Sequence, residues 1–286
     1  MKGTAYLVQG ALVSLWWLGL AISDGFYEAF QFSGISQTAF NAFLIPDLLV
    51  LVLLSVLRAY KPLRSLEFII LGGFAFGSLY CLNASILSAG GYLPTTLMLL
   101  GLCYNLFLVF QSEVFRESKS ASRFQNGFKT FVQIISIWSV TLVLFPWIIL
   151  EAFGHEHPSS VTHKIIAILL FVLASAFNLA SAHVFVKHGD GTPLPADQTK
   201  KLVIAGPYKY VRNPMALTGI VQGAAVALYF ASLPVLAYAL LGGVLWHIVV
   251  RPLEEKNMLK RFGEDYENYR EQVGLWVPKI KPKSLS

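Results

Sequence analysis

Long apolar segments, separated by short polar ones, fill most of the chain. A helix that crosses the hydrocarbon core of a bilayer needs about 20 mostly apolar residues. Windows of that length predict eight spanning helices, and the last two lie close enough in sequence to form a helical hairpin. The aromatic, weakly polar segment 24–41 is expected at the membrane interface. The eight predicted spans cover residues 5–22, 43–59, 66–88, 93–111, 130–152, 162–186, 215–231 and 234–250.

The basic residues test this count, because Lys and Arg concentrate in cytoplasmic loops. With eight spans, all of the 22 Lys and Arg residues except Lys164 fall on the side of the two chain ends. This distribution predicts cytoplasmic N- and C-termini in a multi-pass protein of the bacterial inner membrane or the endoplasmic reticulum.

Composition supports a surface that faces lipid. The chain of 286 residues is 55% hydrophobic and 13% charged, whereas soluble domains carry roughly 25% charged residues. These numbers argue against a soluble globular protein and exclude a disordered chain. The net charge of +6 is assigned to membrane orientation, and no nucleic-acid partner is expected. We predict an all-α, polytopic transmembrane helical bundle of about eight spans with a cytoplasmic C-terminal helix.

The chemistry is unevenly distributed along the chain. Residues 1–152 form predicted spans with little polar chemistry, whereas residues 153–286 contain two polar segments, 187–213 and 251–286, on either side of the hairpin 214–250. Loops held by a rigid scaffold commonly carry functional sites, so we expect the site in these two segments. Both cysteines lie in apolar runs and no cluster has the spacing of metal ligands, so no metal is expected.

The first polar segment ends in a helix-start signal. Asn213 is a favoured N-cap residue and Pro214 suits the first helical position. The exposed amides at a helix N-terminus bind anions, and Arg212 stands beside them. Together these groups predict a site for a carboxylate or a phosphate. The alternative is ordinary capping, with Arg212 facing lipid headgroups.

The second polar segment follows the last span. His247, Arg251 and Glu254 share one helical face if the helix continues. Pro252 is expected to kink the helix as it leaves the membrane, which would turn Glu254 and Glu255 toward the first segment. The alternative is an interfacial helix with ordinary alternating charges and an interior histidine at position 247.

Several polar residues fall inside the predicted spans. Such groups are costly in lipid and are functional hypotheses by default, although amides there also form hydrogen bonds between helices. The Gly189-Asp190-Gly191 sequence does not predict a dinucleotide site, because it lacks the flanking strand and helix that such a site needs. The intramembrane polar residues are Asp47, Asn83, Asn105, Gln133, Asn178 and His183.

Two motifs taken together resemble a known family. The first is Gly206-Pro207-Tyr208 with Arg212-Asn213-Pro214-Met215, and the second is Glu254-Glu255 with Phe262-Gly263, Tyr266 and Tyr269. This pattern resembles the isoprenylcysteine carboxyl methyltransferase family and its relatives, which include the phospholipid methyltransferases. The resemblance covers about residues 187–280. Asn213 and Ala216 stand where the family pattern has His and Tyr.

The resemblance implies a methyltransferase-like core in residues 153–286 that binds S-adenosylmethionine outside any Rossmann fold. By motif position, Glu254 would hold a hydroxyl or an amine of the cofactor, with Glu255 beside it. Gly206 and Arg212 belong to the same implied cofactor site. Further residues would line the adenosine, namely Lys200, Lys201, Leu202, Val203 and Tyr208, and others would border the methionine part, namely Asn213, Pro214, Met215 and Ala216.

The implied reaction is transfer of a methyl group to a lipophilic or membrane-accessible acceptor. Arg251 lies near the position at which the family has an arginine for the substrate carboxylate. A carboxylate acceptor needs no base, whereas an amine must be deprotonated, and His247 is then the candidate general base. The predicted partners are the lipid bilayer and this acceptor, a carboxylate, an amine or a thiol.

Two other functions remain open at this point. A membrane reductase of the sterol reductase type has a similar C-terminal hairpin and motif but uses NADPH. A transporter or lipid-binding protein would be non-enzymatic, and its function would depend on intramembrane groups such as Asp47 or Asn178. The scarcity of charge within the spans argues against an ion-coupled transporter.

Overall fold

The structure is a computed structural model that describes residues 2–114, 117–118, 122–154, 159–193 and 197–279. Within these ranges the chain is almost entirely helical, and isolated bridges take the place of strands. Four basic residues used in the orientation argument, Arg116, Lys119, Lys281 and Lys283, lie outside the described residues. The helices are α1 (Lys2–Ile22), α2 (Asp24–Phe30), α3 (Gln37–Tyr60), α4 (Arg64–Ser88), α5 (Tyr92–Val114), α6 (Arg123–Phe153), α7 (Val161–Gly189), α8 (Pro214–Phe230) and α9 (Leu233–Gln272).

The predicted all-α polytopic bundle is confirmed. In the described part of the chain, seven helices are long and apolar enough to cross a membrane, namely α1, α3, α4, α5, α6, α7 and α9. The remaining predicted span is α8, which is apolar but has 17 residues and so is only about 25 Å long. The chain is therefore a multi-pass membrane protein.

Helix α9 is irregular at two places, beside Pro252 and at Gly263. The helix passes through Pro252, directly after a widened π-helical turn at Trp246–Val250. Such a turn makes room for a proline ring that would otherwise clash with the preceding turn. Within the second half of α9, Arg251–Gln272, the non-helical backbone lies at Gly263, with φ of 51° and ψ of −127°. The kink predicted at Pro252 stays a prediction, and Gly263 adds a second irregularity eleven residues further along the chain.

The chain divides into two compact units. The first contains Met1–Ser112 with Glu151–Gly154, and the second contains Glu113–Leu150 with His155–Ser286. The predicted assignment of a methyltransferase-like core to residues 153–286 concerns function and stays a prediction.

In the first unit, polar side chains connect the spanning helices. The amide of Asn105 donates to Gln9 Oε1 at 2.8 Å, and the amide of Gln9 donates to Ser55 Oγ at 2.8 Å. Trp17 Nε1 donates to Asp47 Oδ2 at 3.1 Å. Asn105 and Asp47 thus bond across helices, whereas Asn83 lies exposed on the surface of α4.

In the second unit, α7 packs along α8. Asn178 Nδ2 donates to Thr218 Oγ1 at 2.8 Å and to the Met215 carbonyl at 3.2 Å. Gln222 Nε2 donates to Ser175 Oγ at 2.9 Å. The bonds from Asn178 hold the start of α8 against the second half of α7, and the bond from Gln222 joins the two helices further along α8.

We expect Gly263→Ala to lower the free energy of unfolding by about 1–3 kcal/mol. The positive φ at Gly263 with a ψ of −127° is a backbone region that L-residues rarely adopt. Space is not the reason, because a Cβ at this position would meet nothing within 4 Å. Thermal unfolding in detergent measures the effect. The control is Gly242→Ala, at a helical glycine that also has open space, and equal stability of the two variants would contradict the prediction.

Candidate functional site

The first polar segment folds back on the end of α7. Asp190 ends the helix in a left-handed conformation with φ of 54°. The backbone amide of Lys200 then donates to the Gly189 carbonyl at 2.7 Å. A Cβ on Gly191 would lie 2.5 Å from the Gln198 carbonyl oxygen, so this close approach requires glycine. The Gly-Asp-Gly sequence therefore forms a helix end and a tight turn.

Helix α6 holds the same segment from another side. Lys129 Nζ lies 3.1 Å from Asp197 Oδ2, and Gln133 Nε2 donates to Thr192 Oγ1 at 3.2 Å. The intramembrane Gln133 is thus engaged with the polar segment. The turn is closed by the Thr192 amide, which donates to the Asp197 carbonyl at 2.8 Å.

Arg261 of α9 joins the two polar segments, and the sequence motifs did not identify it. Its Nη1 donates to Gln198 Oε1 at 3.1 Å and its Nη2 donates to the Thr199 carbonyl. It also lies 3.2 Å from the exposed carboxylate of Glu117. Its partners are 62 and more residues away in sequence, and no local spacing reveals such a contact.

The Gly-Pro-Tyr motif forms a short 3₁₀ helix, Gly206–Lys209. Gly206 has φ of 56°, and a Cβ there would lie 2.8 Å from Val184 of α7. Tyr208 is buried, with its ring 5.1 Å from that of Phe185. Burial and the neighbouring Tyr269 and Glu254 raise the pKa of Tyr208 well above its ordinary value, so its hydroxyl stays neutral.

An aromatic cluster brings the two motifs together. Tyr266, Tyr269 and Val273 are buried against Leu202 and Ile204 of the first segment. The Tyr269 hydroxyl donates to the Tyr208 carbonyl at 2.8 Å. The change of direction at Gly263 precedes these tyrosines, and it lets the end of α9 pack back on the first segment.

Charged groups at the start of α8 form a compact cluster. Arg212 Nη1 lies 2.8 Å from Glu255 Oε1, and Arg251 Nη1 lies 3.3 Å from Glu255 Oε2. The Arg212 and Glu255 side chains are 11% and 14% exposed, so this pair is largely shielded from water. Arg212 Nε is buried and has no hydrogen-bond partner among the residues that the structure describes. Glu255, and not Glu254, therefore receives both guanidinium groups.

The carboxyl group of Glu254 lies in a different environment from that of Glu255. It lies on the polar continuation of α9, beyond the apolar segment that ends at Val250. Burial, and secondarily the negative charge of Glu255, raises its pKa to about 7. Near neutral pH this carboxyl is therefore close to half-ionised, and a bound cation or hydroxyl donor would favour the ionised form.

The predicted helix start is confirmed at α8. Asn213 occupies the N-cap position and Pro214 the first helical position. The Asn213 side chain makes no capping hydrogen bond within the described ranges. The backbone N–H groups of Asn213, Met215 and Ala216 are therefore available to a ligand that approaches this end of the helix.

His247 has a partner that the sequence did not predict. Trp276 Nε1 donates to His247 Nδ1 at 3.0 Å, and the two ring centroids are 6.0 Å apart. His247 precedes Arg251 by one helical turn, and Arg251 Nε donates to the His247 carbonyl at 3.1 Å. Trp276 belongs to no spacing pattern, so the sequence offers no signal for this contact.

The four predicted adenosine residues before Gly206 occupy different positions. The Lys201 side chain is 68% exposed and pairs with Asp190 at 2.8 Å. Val203 is buried and Leu202 packs on the aromatic cluster, so both side chains support the segment from within. Lys200 contributes its backbone to the turn at Gly189.

Comparison with known proteins finds matches in the second half of the chain. Residues 162–265 match the phospholipid methyltransferase family model. Over 110 residues the chain is 29% identical to a methanethiol S-methyltransferase of Crocosphaera subtropica, a match that covers 38% of this chain and 39% of the relative. No solved structure matches the chain. Residues 162–265 are therefore similar to the membrane methyltransferases of the isoprenylcysteine carboxyl methyltransferase and phospholipid methyltransferase superfamily.

Proposed function

We propose that this protein is an integral membrane methyltransferase that transfers a methyl group from S-adenosylmethionine to a lipophilic or membrane-accessible acceptor. The observation that carries the proposal is the charged cluster of Arg212, Arg251 and Glu255 beside the open N-terminus of α8. This cluster is formed by both halves of the matched motif. The same arrangement supports cytoplasmic entry of the cofactor, on the side of the basic residues.

The residues at this place fit the charges of S-adenosylmethionine. Its carboxylate suits the unpartnered Arg212 Nε together with the first amides of α8. Its ammonium group or a ribose hydroxyl suits the carboxylate of Glu254. Tyr208 and Asn213 would border the molecule between these two contacts. When bound, S-adenosylmethionine supplies a methyl group made electrophilic by its sulfonium.

The contribution of the protein to such a reaction is alignment. Methyl transfer is a direct displacement, so the acceptor must be held in line with the bond that breaks. The aromatic cluster and the ionic cluster fix the two polar segments around one position, and their burial excludes water. The lipid-facing hairpin of α8 and α9 gives an acceptor in the bilayer a lateral approach.

The matched relative is named for its action on methanethiol, which is a thiol. Among the three proposed classes of acceptor, this similarity favours a thiol. The chain matches 39% of that relative's length, so the acceptor of the present protein is proposed from chemistry. Carboxylate, amine and thiol acceptors are all compatible with a lipid-accessible site.

Binding of the demethylated cofactor tests the proposal directly. We expect detergent-purified protein to bind S-adenosylhomocysteine in isothermal titration, and to bind it in preference to NADPH. Absence of binding to S-adenosylhomocysteine would contradict the proposal. Preference for NADPH would instead support the membrane reductase that the sequence left open.

Affinity for S-adenosylhomocysteine is expected to rise with pH through the pKa of Glu254. An acid whose pKa in the folded protein is about 7 is mostly protonated below that value, and the proposed contact needs its ionised form. Between about pH 6 and about pH 8 the ionised fraction, and with it the affinity, rises roughly tenfold. Glu254→Gln should bind more weakly and without this pH dependence. Glu264→Gln, at an exposed position of α9, is the control, and an unchanged pH profile in Glu254→Gln would contradict the assignment.

A further inference from the structure

The hydrogen bond between Trp276 and His247 determines which ring nitrogen of the histidine carries the proton. The indole N–H is a donor only, and it points at His247 Nδ1 at 3.0 Å. A neutral imidazole has one donor nitrogen and one acceptor nitrogen. Because Nδ1 is the acceptor, the hydrogen of the ring is on Nε2, which has no partner within the described part of the chain.

The position of Trp276 is itself fixed by the site. Its ring meets that of Trp246 edge-on, with centroids 5.2 Å apart. Trp276 lies two residues after Gly274, whose carbonyl accepts a hydrogen bond from the backbone amide of Arg212 at 2.9 Å. Gly274 leaves no room for a side chain, because a Cβ there would lie 1.9 Å from the Val277 carbonyl oxygen. The tight turn that presents the indole is therefore tied to the residue at the start of α8.

His247 also lies on the ridge of α9 that carries the charged cluster. His247, Arg251 and Glu255 follow one another at intervals of four residues, so they line one side of the helix. Arg251 contacts both of its neighbours on this ridge, the His247 carbonyl and the Glu255 carboxylate. Glu255 in turn binds Arg212. His247 is thus adjacent to the groups proposed to hold the cofactor.

We propose that Trp276 is a positioning residue that holds His247 as the Nε2–H tautomer, so that His247 donates a hydrogen bond to the methyl acceptor and accepts no proton from it. The inference rests on the methyltransferase function proposed above. It reverses the general-base role that the sequence predicted for His247. It also names the acceptor class, which is a group that is already anionic when it reacts, a thiolate or a carboxylate.

The charge balance of the reaction agrees with such an acceptor. A lone pair of the acceptor forms the bond to the methyl carbon, while the bond from that carbon to the sulfonium breaks and leaves its electron pair on sulfur. The negative charge of the acceptor and the positive charge of the sulfonium cancel. A carboxylate is already ionised at neutral pH, whereas a thiol reacts as its thiolate after it has released its proton to water. Methylation of an amine would instead produce a positive ammonium group near the guanidinium groups of Arg212 and Arg251, which repel it. Two guanidinium groups sharing the single carboxylate of Glu255 also favour an anion nearby.

The first part of the test reads the tautomer without any turnover. In ¹⁵N-histidine-labelled protein, the signal that disappears in His247→Gln is expected to show an unprotonated, hydrogen-bonded Nδ1 and a protonated Nε2. Trp276→Phe keeps an aromatic ring at this position but removes the indole N–H, and the Nδ1 signal should lose its hydrogen-bond shift. Trp147→Phe, at a tryptophan 56% exposed on α6, should leave it unchanged. A protonated Nδ1 in the wild-type protein would overturn the proposal.

The second part compares acceptors that share one alkyl chain and differ in a terminal thiol, carboxylate or amine. We expect methylated thiol or carboxylate and little methylated amine in the wild-type protein. Trp276→Phe should lower kcat for the anionic acceptor by roughly tenfold, the loss expected for one hydrogen bond to a charged group, with unchanged affinity for S-adenosylhomocysteine. Faster methylation of the amine would refute the acceptor class while leaving the proposed function intact. If the wild-type protein does not bind S-adenosylhomocysteine, the proposed function itself is refuted.

Discussion

Replacing Glu255 with glutamine is expected to separate the two polar segments and to abolish detectable binding of S-adenosylhomocysteine. Glu255 is the common partner of Arg212 and Arg251, and the Arg212 pair is mostly buried. Removing one member of a buried ion pair leaves an uncompensated charge and costs about 3–5 kcal/mol. The segment around Arg212 would then lose its ionic contact with α9.

Thermal unfolding and isothermal titration of the same preparations measure this effect. The matched control is Glu267→Gln on the same helix, because the Glu267 pair with Arg270 is half-exposed and such pairs contribute little. The double variant Arg212→Met with Glu255→Gln should recover part of the stability, since no buried charge is left from that pair, and should still not bind. Equal unfolding temperatures for Glu255→Gln and Glu267→Gln would contradict the prediction.

Hydropathy predicted the membrane-spanning bundle because spanning helices obey a rule that is local in sequence. The start of α8 was predictable for the same reason, since Asn213 and Pro214 act on their own helix. The irregular backbone at Gly263 of α9, in contrast, was not predicted. A glycine in a polar helical pattern shows no local sign of a positive φ. That conformation is set by the packing of Tyr266 and Tyr269 on a segment about 60 residues earlier.

The candidate site was also predicted only in part from the sequence. The residue types of the two motifs were identified, but the distribution of roles between Glu254 and Glu255 depends on three-dimensional contacts. Arg261 and Trp276 were missed because their partners lie 62 and 29 residues away in sequence. Helical periodicity describes neighbours at three and four residues and cannot describe these contacts.

The second large expected effect is a loss of stability when Glu67, in the first unit, is replaced. Glu67→Gln is expected to lower the free energy of unfolding by about 3–5 kcal/mol, because it leaves the guanidinium of Arg58 without a carboxylate inside the bundle. Arg58 and Glu67 are 6% and 4% exposed, and Arg58 Nε donates to Glu67 Oε1 at 2.8 Å. The guanidinium also lies 5.2 Å from the centre of the Tyr6 ring, which offers no negative charge to replace the carboxylate.

Unfolding in detergent, followed for Glu67→Gln and for Lys2→Met, separates the buried pair from its exposed neighbour. Lys2 approaches Glu67 at 3.5 Å but is 26% exposed, so its replacement should cost well under 1 kcal/mol. A Glu67→Gln protein as stable as Lys2→Met would contradict the expected cost. Folded Glu67→Gln protein should bind S-adenosylhomocysteine with wild-type affinity, because each group proposed to hold the cofactor lies in the second unit. Glu67 would then affect stability without affecting cofactor affinity, unlike Glu255, and an affinity that fell in parallel with stability would contradict this expectation.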